Sequence, residues 1–318
     1  MPNLLKRIMN FEICKKEINY KKLNPRNWKA PSFKKRLRFL IFLAIFLAAC
    51  IIIKDEVEYQ FGLGYWDDGG AYYDDYESDE ESIDSACNVM GIEVHGDLVT
   101  YISPEDIDSD GNQLYDEVSS DDIVYALMDA ESDPEVKAVL LEIDSYGGSP
   151  VASYEINQAL HREVSKPVVV MVRNAATSGG YLVAVAADKI FVSPYSDVGG
   201  IGITMSYLDY TDQNKEEGLN YNSLSVGKYK DYGDPDKSLT EEEKSLIMRD
   251  LNIIYDDFVK TVATDRNLDV NKVKELADGS SMPGQLAIDN GLVDEIGGIT
   301  EVKEYLKSII GEEIDICW

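Results

Sequence analysis

The residues of this 318-residue chain with most chemical potential lie in two glycine-containing segments. The first reads Asp144-Ser145-Tyr146-Gly147-Gly148-Ser149-Pro150, the second Asn174-Ala175-Ala176-Thr177-Ser178-Gly179-Gly180-Tyr181. Each follows directly on a run of apolar residues. Glycine accepts positive φ and lets backbones approach closely. Amides exposed at the start of a helix favour negative charge. A serine at the head of a helix, flanked by glycine amides, has what acyl transfer requires. Its hydroxyl attacks a carbonyl, and nearby N–H groups hold the oxyanion. The plainer reading is two tight turns and a capping serine, because serine is a favoured N-cap.

A serine nucleophile needs a base. The two histidines, His95 and His161, have no local context that suggests a triad: His95 falls in an expected strand and His161 beside Arg162 on a helix face. Lysine is the other option, since desolvation disfavours its charged form. Ser225-Val226-Gly227-Lys228-Tyr229-Lys230-Asp231 supplies two candidates. Read as a strand, their i, i+2 spacing puts both on one face, so periodicity does not choose between Lys228 and Lys230.

The elements that must position these groups read as a largely parallel α/β sheet. Val89–Val94, Ala138–Ile143, Pro167–Val172 and Ile190–Val192 are apolar strand candidates. Helices are expected over 119–128, where Ile123, Val124, Leu127 and Met128 recur at helical spacing, and over 151–164 and 178–187. Continuous apolar strands alternating with helices imply a sheet covered on both faces. In such a sheet both glycine turns fall at the carboxyl ends of strands, where sites form.

SYGGSP at 145–150, ATSGGYLVAVAADKIFVSP at 176–194, GGIGI at 199–203, GKYKD at 227–231 and GLVDEIGG at 291–298 stand in this order. With these blocks the chain resembles signal peptide peptidases of the SppA family, membrane-anchored serine peptidases with a ClpP/crotonase-like fold. The resemblance covers about residues 88–309. It implies Ser178 as nucleophile and Lys230 as general base, with the backbone N–H groups of Gly147 and Gly179 as the oxyanion hole. The last block then reads as packing and turn material. The chain has one serine block and one lysine block, as in short, single-unit members. The resemblance therefore implies a homo-oligomeric ring in which Ser178 of one protomer meets Lys230 of the next. Peptides, chiefly remnant signal peptides, are the implied substrates. A non-catalytic membrane scaffold of the same fold is the alternative. An acyl-CoA enzyme sharing the oxyanion logic is a third class, which the expected outward topology disfavours.

Charge and hydropathy set the expected organisation. Lys and Arg number 30 against 59 Asp and Glu, for a net charge of −29, which excludes general nucleic-acid binding. Residues 1–38 nevertheless hold twelve Lys/Arg against only Glu12 and Glu17. The uncharged run FLIFLAIFLAACIII follows at 39–53. The sequence thus predicts a basic cytoplasmic segment at 1–38 and a single-pass transmembrane anchor at 39–54. Beyond it come an acidic, Tyr-rich linker at 55–86, a peptidase-like domain at 87–310 and a tail at 311–318. The positive flank places the N-terminus in the cytoplasm and the domain outside a bacterial cytoplasmic membrane. A lipoprotein box ending at Cys50 competes with the plain anchor. Cys87 and Cys317 would share the oxidising side and could pair, but their distance is not readable from sequence. No cofactor is required. Asp106, Asp108, Asp110, Gly111 and Glu117 fit a calcium-loop spacing, against a plain solvated acidic loop.

Overall fold

The computed structural model describes residues 87–108 and 111–318. The expected anchor at 39–54 and linker at 55–86 lie outside the described residues. Among the described residues no helix is long and apolar enough to cross a membrane. The chain runs through β1 (Val89–Val99), β2 (Glu117–Ser119), α1 (Ser120–Ser132), β3 (Ala138–Gly148), α2 (Pro150–Arg162) and β4 (Val168–Thr177). It continues through α3 (Gly179–Ala184), β5 (Lys189–Val192), β6 (Asp197–Gly199), α4 (Thr211–Glu216), α5 (Glu241–Asp265) and α6 (Val270–Leu276). The last elements are β7 (Ser281–Pro283), α7 (Gly284–Asn290), β8 (Glu295–Ile296), α8 (Ile299–Ile310) and β9 (Ile316–Cys317).

These strands form one sheet with the order β2-β1-β3-β4-β5-β8, every neighbour in it parallel. This is the α/β architecture expected from the apolar runs. Val139, Leu141 and Ile143 of β3 and Val168, Val170 and Val172 of β4 point to one face. There they meet Ile123 and Leu127 of α1, Ile156 and Leu160 of α2, and Val259 and Val262 of α5. Ala138 and Leu140 of β3 and Val169 and Met171 of β4 point the other way. They pack with Phe191 against Val302 and Leu306 of α8. Both faces are covered, which is why the strands show no polar alternation.

The helix starts follow capping chemistry. Ser119 Oγ accepts from the Asp122 N–H at 3.0 Å to open α1. Ser149 caps α2, with Pro150 in its first turn, where a missing N–H costs nothing. Thr240 and Glu243 form a reciprocal capping box at α5.

The structure differs from expectation in three places. Strands β3 and β4 run well past Ile143 and Val172, to Gly148 and Thr177, through irregular register: Ile143 faces Val172, yet Ser145 faces Ala176. Arg173 and Asn174 are accommodated as a bulge. Residues 225–231 are not a strand. Gly227 and Gly233 have φ of 106° and 80°, and the N–H groups of Lys230, Tyr232 and Asp234 each donate three residues back, giving successive turns. Residues 311–318, set apart above as a tail, join the sheet. β9 pairs with β1, Cys317 forms a disulfide with Cys87 (Cα–Cα 5.8 Å), and Trp318 packs on Gly91.

In the acidic loop, Asp108 Oδ1 accepts from the Asn112 N–H at 2.9 Å, and Glu117 enters β2 opposite Asp97. Among the described residues no three His, Cys, Asp or Glu converge to hold a metal; Asp110 lies outside them.

Candidate active site

Strand β4 changes partner along its length. Val169–Val172 pair with β5, whereas Ala175–Thr177 pair with β6. The chain therefore leaves β4 at Ser178 between the ends of β3 and β6. Ser178 has φ 52° and ψ −122°. For a residue with a Cβ this is a strained conformation, of the kind that costs about 1–3 kcal/mol and gathers at functional sites. Its backbone is fixed from several sides. The Ser178 N–H donates to Gly199 O at 2.8 Å, and its carbonyl accepts from the Tyr181 and Leu182 N–H groups. α3 begins at the next residue with no side-chain cap. Its leading amides have no partner within the helix.

Gly147 lies directly against this corner. A Cβ at Gly147 would stand 2.9 Å from the Gly179 nitrogen and 3.2 Å from Ser178 Oγ, and its φ of 115° further excludes other residues. Gly179 is equally constrained, since a Cβ there would stand 2.2 Å from Ser153 Oγ. The structure thus brings together Ser178, Gly147 and Gly179. It adds one constraint that the sequence did not suggest. The Gly147 N–H donates to Ser145 Oγ at 3.1 Å, and Ser145 in turn donates to Gly96 O at 2.7 Å. The adjacent Gly148 lines both recesses that open beside Ser178.

No lysine or histidine lines either recess among the described residues. His161 faces Asp265 at 3.2 Å, and His95 lies 3.4 Å from Glu142 on another part of the sheet. The two candidate lysines are distinguished by their partners. Lys228 Nζ donates to both carboxylate oxygens of Glu242 at 2.6 and 2.7 Å. The Glu242 hydrogen bond, followed by Tyr229, holds the Lys228 ammonium well above its ordinary range. Lys237 is likewise paired, with Glu243 at 2.7 Å and Asp231 at 3.1 Å. Lys230 is exposed, and its ammonium has no ion pair or hydrogen bond among the described residues. Among the described residues the structure therefore leaves Ser178 without a base beside it.

The GLVDEIGG segment supports the serine corner from below. Tyr181, fully buried in α3, donates to Leu292 O at 2.8 Å. Burial pushes the Tyr181 phenol far above its ordinary range, so it stays protonated and able to donate. Asp294 accepts from the Ile190 N–H at 2.7 Å and receives two hydrogen bonds from Arg266. The packing role expected for this block is what the structure displays.

Residues 161–311 match Peptidase family S49. This match takes in a little under half of the chain. This agrees with the resemblance read from the five blocks. Among similar proteins, a Methanocaldococcus jannaschii "Putative protease" is 38% identical over 58% of this chain and 60% of its own length. An Enterococcus faecium "Putative signal peptide peptidase SppA" is 38% identical over 56% and 52%. "Protease 4" of Haemophilus influenzae is 30% identical over 65% and 34%. The chain thus spans about a third to three fifths of the length of these relatives. A ClpP1 mutant from Listeria monocytogenes aligns with a TM-score of 0.43 and 15% identity, over 66% of this chain and 92% of that one. Ser178 and its strained corner lie inside the S49 match, as does Lys230; Gly147 lies before it.

Proposed function

We propose that this protein is a serine endopeptidase of ClpP/crotonase-like fold in which Ser178 is the nucleophile and Lys230 the general base. The observation that carries this reading is Ser178 itself: a strained serine at a strand–helix corner, open to two recesses, with glycine backbone packed against its hydroxyl. Lys230 takes the Ser178 proton as Oγ attacks the scissile carbonyl. The Gly179 and Gly147 N–H groups donate to the developing oxyanion, Gly147 exchanging its Ser145 Oγ acceptor for the substrate oxygen. Collapse of the tetrahedral intermediate breaks the peptide C–N bond and returns the proton to the leaving amine. Water then hydrolyses the acyl-enzyme with Lys230 again as base.

Lys230 reaches Ser178 from a neighbouring protomer. In support, the segment that bears it displays Leu224 and Val226, 100% and 98% exposed, as a partner-seeking surface. Homo-oligomers close most simply as rings when one patch meets a different one head to tail. The substrates are peptides, with remnant signal peptides the leading class, and the anchor at 39–54 holds the domain outside the cytoplasmic membrane. The Cys87–Cys317 disulfide favours that oxidising side.

The test is cleavage of casein and of a synthetic signal peptide by detergent-solubilised full chain. Wild type cleaves and Ser178→Ala, at the same oligomeric state by light scattering, does not. Equal activity of the two removes Ser178 from the mechanism. Inactivity of a correctly assembled wild type favours the scaffold reading.

A further inference from the structure

One recess beside Ser178 carries a feature that nothing above uses. Its cavity measures about 80 Å³. Part of its wall is apolar, from Pro150, Leu182 and Ile203. Another part is one face of α5, where Ile254, Asp257, Phe258 and Thr261 recur at i, i+3, i+4 and i+7. Asp257 is the one charged residue among those lining the recess.

Two buried polar groups of the lining, Ser153 and Asn157, are already committed. Ser153 donates to Ser149 O at 3.0 Å, and Asn157 donates to Leu182 O at 2.9 Å. The Asp257 carboxylate has no hydrogen bond or ion pair among the described residues, in contrast to its neighbour Asp256, which faces Lys274. A pocket with apolar walls and one exposed, unpaired carboxylate matches a side chain that complements both kinds of group. That side chain is aliphatic near its Cα and cationic at its tip, as in lysine or arginine. A norleucine side chain fills the walls equally but leaves the carboxylate without a counter-charge.

We propose that Asp257 is a specificity-determining residue that selects lysine or arginine on the substrate, at the residue whose carbonyl Ser178 attacks. This rests on the peptidase reading above and names its substrate class more narrowly.

The experiment uses the detergent-solubilised full chain and two peptides that differ at that single residue, lysine in one and norleucine in the other. The quantity read is the ratio of their kcat/KM values. Wild type prefers lysine, and Asp257→Asn lowers the ratio by about fivefold, the upper range for a partly solvated ion pair. Asp256→Asn, on the same helix but outside the recess, keeps the wild-type ratio. An unchanged ratio in Asp257→Asn overturns the proposal. So does an equal fall for both peptides, which would instead place Asp257 against the neighbouring protomer's base. Absence of Ser178-dependent cleavage of both peptides by wild type overturns the peptidase reading itself, and this assignment with it.

Discussion

At the scale of single residues, the account rests on what each candidate touches. Sequence alone left Lys228 and Lys230 equivalent, and only the resemblance ranked them. The structure supplies a physical distinction: Lys228 is locked to Glu242 and Tyr229 as a protonated ammonium, whereas Lys230 is uncommitted. Lys230→Ala therefore lowers peptide turnover by about 10²–10⁴, the usual contribution of a general base, whereas Lys228→Ala retains most of it. Equal losses in a steady-state comparison would contradict the distinction. Ser178 was visible in the sequence as a serine between a strand and two glycines. The tie between Ser145 and Gly147 was not, because it depends on a strand register that polar, small residues obscure. Ser145→Ala leaves Gly96 O and the Gly147 N–H without their partner inside the core. It costs about 1–3 kcal/mol in denaturant unfolding. Wild-type stability in that variant would show the tie to be incidental.

At the scale of elements, the central strands and α1, α2 and α3 were legible because burial on both faces and serine capping write themselves into composition. The ends were not. Bulges at Arg173–Asn174 and beyond His95 continue strands through residues that look like loop. Residues 225–231 looked like a strand because Val, Tyr and Lys alternate there. Glycines at positive φ turn them instead, and no sheet edge receives them. β9 was missed because two residues carry no periodicity; a disulfide and Trp318 hold it in place. Cys317→Ser, closing off a cross-link over 230 residues, destabilises the domain by about 2–5 kcal/mol, read as a lower midpoint in denaturant. The start of α5 carries a pH dependence of definite sign. The Lys237 ammonium, and after it the Thr240 amide, hold the Glu243 carboxyl below its ordinary value of 4.5. A depressed carboxylate stabilises the fold above that value and loses its contribution as pH falls through the folded one. Hydrogen exchange at residues 240–245, corrected for intrinsic rate, therefore accelerates between about pH 6 and about pH 3, and Glu243→Gln abolishes the difference. Pointing the other way, pH-independent protection in wild type would mean that the capping box gains nothing from the charge.

At the scale of the whole molecule, the question is how the proposed nucleophile, with no base beside it among the described residues, becomes competent. The domain places Ser178 at one corner and Lys230 on a turn segment that lines neither recess, so the proposed dyad is one that a second copy would complete. Mixing Ser178→Ala with Lys230→Ala chains before assembly restores cleavage that neither variant has alone. Failure of the mixture, with both variants assembled, would put the base elsewhere. The acid excess of the chain and the unpaired Asp257 suit basic peptides approaching this face, and the same charge explains why nucleic acid was excluded at the outset. The most direct test of the central claim is covalent. Detergent-solubilised full chain is treated with a serine-reactive fluorophosphonate, digested, and mapped by mass spectrometry. The account predicts a single modified residue, Ser178, and loss of that modification in Lys230→Ala. An unmodified Ser178 in an assembled wild-type protein, or labelling that ignores Lys230, would contradict it.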